Sequence, residues 1–100
     1  MAAELSITSN EDGSGFVLVG ELDTHTAPQF VDALAGVADG TAVVVDLEGT
    51  SFMSSAGLSA MLNAERRLRD SGGSLSVSSV SPAVARLFEL SGVEAVFGLS

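Results

Sequence analysis

Residues 42–61 read AVVVDLEGTSFMSSAGLSAM. The stretch opens on β-forming apolar residues, passes through Asp46-Leu47-Glu48-Gly49-Thr50-Ser51, and ends on Leu58 and Met61 at helical spacing. An apolar run without alternation, as in Ala42 to Val45, predicts a central strand covered on both faces. The polar loop then carries the chain into a helix, as the crossover of a parallel sheet requires. At the junction stand four small residues, Ser54, Ser55, Ala56 and Gly57. They could serve only to close a tight turn. They could equally hold one hydroxyl out at the mouth of a helix.

The same reading extends downstream. Leu58, Met61, Ala64 and Leu68 form one apolar stripe, with Leu62 at its margin, so the helix is predicted from about Ser55 to Asp70. Ser71-Gly72-Gly73 ends it. Arg66, Arg67 and Arg69 crowd its last turns, where cations offset the negative end of the helix dipole; a solvated face explains them without a binding patch. Leu75 to Ser78 alternates as a strand. Ser81-Pro82 caps and starts a third helix with Val84, Leu87 and Phe88 on its inner side, and Ser91-Gly92 ends it. Ala95-Val96-Phe97 reads as a short last strand.

Upstream, Leu5 to Thr8 alternates, Asn10 to Gly15 is turn chemistry, and Phe16 to Val19 is β-rich, which together predict a hairpin. Thr26-Ala27-Pro28-Gln29 reads as a helix start in which Gln29 completes a capping box. Phe30, Ala33, Leu34 and Val37 then recur at helical spacing until Asp39-Gly40. The order β-β-α-β-α-β-α-β predicts an α/β fold: a mixed sheet with an N-terminal antiparallel hairpin leading into parallel strands, helices packed against it, and one domain over residues 1–100.

Composition excludes several chemistries. The formal charge is −9, from thirteen acids against four arginines with no lysine. Such a surface repels phosphate backbones and anionic membrane faces, so neither direct nucleic-acid binding nor membrane association is expected. Absent lysine removes a Schiff base and a Walker loop. There is no cysteine, and His25 is the single histidine, so no metal or cofactor site is expected. No apolar run approaches the ~18 residues of a membrane span. Met-Ala-Ala-Glu lacks a basic head and an apolar core, so the expected location is cytoplasmic.

Loops beyond the carboxyl ends of parallel strands form the usual ligand crevice, and this puts Ser54 and Ser55 at such an end and at a helix start. Either serine could be a helix N-cap and nothing more. Either could also accept a phosphate, whose charge a helix N-terminus stabilises locally. Serine hydrolysis is a third reading, with Asp23 and His25 as triad partners. The G-x-S-x-G pattern is absent, because Met53 and Gly57 flank Ser55, and a 100-residue chain leaves little room for a substrate pocket. The protein is therefore expected not to be an enzyme. Gly20 to Thr24 closes the second predicted strand with two carboxylates, which is either an ordinary polar turn or a surface shared with Ser55.

Three segments in order resemble one family. Gly20 to Pro28 (GELDTHTAP) looks like the first signature of bacterial anti-sigma factor antagonists. Val43 to Leu47, followed by FMSSAGL at Phe52 to Leu58, resembles their phosphorylation segment. Gly72 to Leu75, Ser81 to Val84 and Leu87 to Gly92 resemble their C-terminal third. The family is the STAS domain, shared by sulfate-transporter tails and anti-sigma antagonists.

That resemblance implies a binding switch. The unmodified protein would bind an anti-sigma factor, itself a serine kinase of the histidine-kinase-like ATPase fold, and so release a sigma factor. Phosphorylation would end the association, and a PP2C-like phosphatase would reset it. Carried onto this chain, the acceptor is Ser55, with Ser54 as its rival. Ser54 stands where the family has an aspartate, and Ala56 where it has a second hydroxyl. Asp23, Thr24, Ser54, Ala56, Gly57 and Leu58 are the expected partner-binding residues. The alternative is a STAS scaffold subunit, never phosphorylated, of a signalling or lipid-transport complex.

Overall fold

The computed structural model of the chain describes residues 4–99. Strand β1 (Leu5–Ser9) and strand β2 (Gly15–Leu22) pair antiparallel, from Leu5 opposite Gly20 to Ser9 opposite Phe16. Their turn is built by side chains: Asn10 Oδ1 accepts from the Ser14 and Gly15 N–H groups, each at 3.0 Å. Helix α1 (Ala27–Ala35) returns the chain to β3 (Ala42–Leu47), parallel to β2. After the Glu48-Gly49 turn a further strand follows, β4 (Thr50–Met53), then helix α2 (Ser55–Asp70), strand β5 (Ser74–Val80) and helix α3 (Pro82–Ser91).

The sequence reading took residues 46–51 as loop, but β3 and β4 are two halves of one broken strand. β3 pairs with β2 at Gly15 to Val17, and β4 takes over the same edge at Gly20 to Leu22. The sheet order is β1-β2-β3-β5, with β4 beside β2. Both parallel crossovers step the same way across the sheet, so the right-handed rule puts α1 and α2 on one face. Arg67 ties them, donating from its guanidinium to the Leu34 carbonyl at 2.8 Å, so it has a structural partner beyond the helix dipole.

Under the helices lies one core. Leu18, Val43, Val45 and Leu47 point into it from the sheet, and Phe30, Met61, Leu68 and Phe88 from the helices. The predicted α2 stripe is buried as read, with Leu62 at the margin. Two further expectations fail. Val44 is 41% exposed, so the central strand is covered on one face only. Ala95–Phe97 is a single 3-10 turn rather than a strand, because Phe97 turns inward to stack on Phe88, ring centroids 5.1 Å apart.

Candidate functional site

The carboxyl ends of β2 and β4 lie side by side. Leu22 is the partner of Met53, and the Ser54 N–H donates to the Leu22 carbonyl at 2.9 Å. The turn that begins at Asp23 and the helix that begins at Ser55 therefore emerge from neighbouring strand ends. The sheet joins the two segments that sequence spacing alone left unconnected.

Ser54, not Ser55, caps α2. Its backbone is extended (φ −88°, ψ 174°), and its Oγ accepts the Gly57 N–H at 3.2 Å. The Ser54 carbonyl accepts the first helical bond, from Leu58 at 2.9 Å. Ser55 follows as the first helical residue, exposed to solvent. Among the described residues its hydroxyl makes no hydrogen bond. One serine hydroxyl is occupied by the fold and its neighbour's is exposed.

Gly57 and Leu58 act from beneath. A Cβ on Gly57 would stand 2.4 Å from the Leu22 carbonyl oxygen, so the first turn of α2 rests on the end of β2 only because no side chain intervenes. Leu58 is buried at 9% exposure. Both were expected at a partner-binding rim; both are buried beneath the first turn of α2. Ala56 is half-buried and Thr24 exposed.

The Asp23 turn is locked from within. Asp23 Oδ1 accepts the His25 N–H at 2.9 Å and the Thr26 N–H at 3.0 Å. The Thr26 N–H above all holds the Asp23 carboxyl below its ordinary range. Thr26 is buried, and its hydroxyl donates to the Glu21 carbonyl at 2.7 Å while accepting the Asp23 N–H at 2.9 Å. It therefore makes no side-chain cap to α1, and Gln29 closes no capping box; Gln29 instead donates to the Leu5 carbonyl at 2.8 Å. Sequence reasoning missed Thr26 as the lock of this turn. The signal was present in Asp-x-x-Thr, a side-chain pair suited to bridging its own turn. His25 is exposed, and nothing in this geometry pairs it with Ser55.

The profile described as "Mlab, STAS domain" matches residues 6–99. The chain belongs to the STAS-domain family. The chain is similar to the anti-sigma-B factor antagonist of Bacillus subtilis (strain 168), at 27% identity over 101 residues, covering 100% of this chain and 93% of that one. An anti-sigma factor antagonist of Mycobacterium paratuberculosis superimposes at TM-score 0.73 with 29% identity, covering 97% of this STAS chain and 84% of the other. The anti-sigma factor antagonist SpoIIAA is similar in two forms. The unphosphorylated form gives TM-score 0.67 at 27% identity, covering 95% and 84% of the two chains. The phosphorylated form, from Bacillus, gives TM-score 0.63 at 25% identity, covering 95% and 87%. STAS anti-sigma factor antagonists are regulatory binding proteins rather than enzymes. Among the described residues no helix is long and apolar enough to cross a membrane.

Proposed function

We propose that this STAS domain is an anti-sigma factor antagonist switched at Ser55. In its unmodified state it binds an anti-sigma factor that is a serine kinase of the histidine-kinase-like ATPase fold. Transfer of phosphate to Ser55 ends that binding, and a PP2C-like phosphatase restores it. The observation that carries the reading is the division of labour at α2. Ser54 spends its hydroxyl on the helix cap while Ser55 keeps an exposed one, beside the strand end that carries Asp23. That similar antagonists include one solved with and without phosphate supports it.

The physics is local. A phosphoserine adds roughly −1.5 to −2 charges, which a helix N-terminus tolerates without refolding. A docked kinase would have to bury that charge against its own nucleotide and the Asp23 carboxylate, and like charges at a desolvated interface cost several kcal/mol. Thr24, Ser55 and Ala56 make the contact surface; Asp23, Ser54, Gly57 and Leu58 hold it in place. The test is incubation with the cognate anti-sigma kinase and ATP, then mapping of phosphate by mass spectrometry. Label on Ser55 that disappears in Ser55→Ala supports the switch. Tight binding without label overturns it in favour of the scaffold, a reading that Ser54 in place of the family aspartate keeps in contention.

A further inference from the structure

Parallel strands are ordinarily buried on both faces, because crossover helices cover the sheet from both sides. Here β2, β3 and β5 are parallel and the buried core lies on one side of them. Among the described residues the other side is bare, and it carries apolar side chains among polar ones. Val17, Val19, Val44 and Phe52 are 43%, 51%, 41% and 47% exposed. The register places them on one surface: Val17 lies opposite Asp46, Gly15 opposite Val44, and Glu21 opposite Phe52. Exposed apolar groups gathered on one surface and rimmed by polar ones mark an interaction site more often than chance.

We propose that this bare face is a second docking surface, and that its occupant is a partner-protein helix with an apolar stripe flanked by arginines or lysines. Charge decides the chemistry. No strand contains a lysine, arginine or histidine, and the four arginines lie on α2 and α3. The bare face instead presents Glu21 and Asp46 beside the valines. Between β1, β2 and β3 it dips into a concavity of about 450 Å³ lined by Thr8, Val17, Val44 and Asp46, among others. A second copy of this chain would set the same carboxylates against each other in a molecule already at −9. A basic-flanked helix would pair with them and supply the missing layer. Val17, Val19 and Val44 are set back along the sheet from the strand ends that carry Asp23 and Ser54, whereas Glu21 and Phe52 adjoin those ends, so the helix is centred on the valines and meets the switch surface only at its margin.

The test uses two synthetic amphipathic helices with the same Leu/Val stripe, one flanked by arginine and one by glutamate, titrated into the isotope-labelled protein. The arginine peptide should shift the amides of Val17, Val19 and Val44 saturably and bind about tenfold tighter than the glutamate peptide. Val17→Ser/Val44→Ser should weaken it about tenfold. Glu21→Gln should weaken it about threefold and reduce its salt dependence. Should the double variant fail to fold, the Glu21→Gln result decides alone. Ser55→Asp, which abolishes the switch proposed above, should leave this binding unchanged, so the two proposals fail separately. Equal binding of both peptides, shifts centred on the helices or on Ser55, or no binding would overturn the proposal. So would sedimentation showing a dimer whose contacts are the same valines.

Discussion

Helices α2 and α3 begin alike and end up with different uses. Each follows a strand and opens on a serine in extended conformation whose Oγ accepts the N–H three residues on, Ser54 from Gly57 at 3.2 Å and Ser81 from Val84 at 3.3 Å. What differs is the first and third positions that follow, the second being alanine in both. At the first helical residue α2 has Ser55 and α3 has Pro82; at the third, α2 has Gly57 and α3 has Val84, which is fully buried. Helix α3 is closed off, with a buried cap and no hydroxyl at its mouth. Helix α2 is pressed onto the sheet by a glycine and offers a hydroxyl outward. A cap makes a helix end, and the residues after it decide whether that end is available to another protein.

Making the third positions alike should have the largest effect. In Gly57→Ala the new Cβ would meet the Leu22 carbonyl oxygen at 2.4 Å and Leu22 Cγ at 2.9 Å. Neither can retreat, since the carbonyl also holds the Ser54 N–H and the Leu22 side chain is fully buried. Overpacking of this kind costs about 3 kcal/mol, readable as a lower urea midpoint. A loss under ~0.5 kcal/mol would mean the turn is not seated as described.

The buried cap comes next. The Ser81 hydroxyl serves twice, accepting from Val84 and donating to the Thr50 carbonyl, which joins α3 to β4. Ser81→Ala removes both and should cost about 2 kcal/mol. Ser54→Ala removes only the cap of a half-buried residue and should cost about 1 kcal/mol. Equal losses in urea unfolding would erase the distinction between the two ends. Ser54→Asp keeps an acceptor and adds charge at the dipole's positive end, so stability should rise by a few tenths of a kcal/mol.

What the sequence made legible follows from where the deciding contacts lie. Helix α2 was readable at both ends because its stripe, cap and Gly-Gly stop are all local. That a hydroxyl stands at its mouth was readable too; which of two adjacent serines caps was not, since the answer is Ser54's ψ of 174°. Strand β4 was hidden because a bulge beside Gly20 breaks its alternation. Thr26 reads as a cap until the Glu21 carbonyl, five residues back, claims its hydroxyl. A run of three valines cannot disclose that the middle one faces water, because helix placement decides that.

Acid sharpens the contrast at the neighbouring turn. The Asp23 carboxyl is held low mainly by the Thr26 N–H, against the opposing effect of burial. A depressed folded-state pKa contributes stability above the unfolded value of ~3.9, and this is lost as pH falls through the folded pKa. Asp23→Asn keeps the acceptor oxygen and removes the titration. Its melting temperature should therefore fall less than that of the parent between neutral pH and pH ~3. Parallel acid profiles would show that the turn does not depend on the charge.

The smallest expected effect bears most directly on the comparison. Ser55→Pro gives α2 the first residue of α3. Proline is tolerated at the first helical position, where the N–H has no helical partner and the ring's fixed φ of about −65° suits a helix. The residue before a proline must be extended, and Ser54 is, at φ −88° and ψ 174°. Its Oγ would still accept from Gly57, so the cap survives. Unfolding free energy should stay within ~0.5 kcal/mol of the parent, while the phosphate acceptance proposed for residue 55 disappears. A loss well beyond that would mean Ser55 helps to build the helix end. The exposed hydroxyl would then belong to the fold, and the two helix ends would differ only in how tightly they pack.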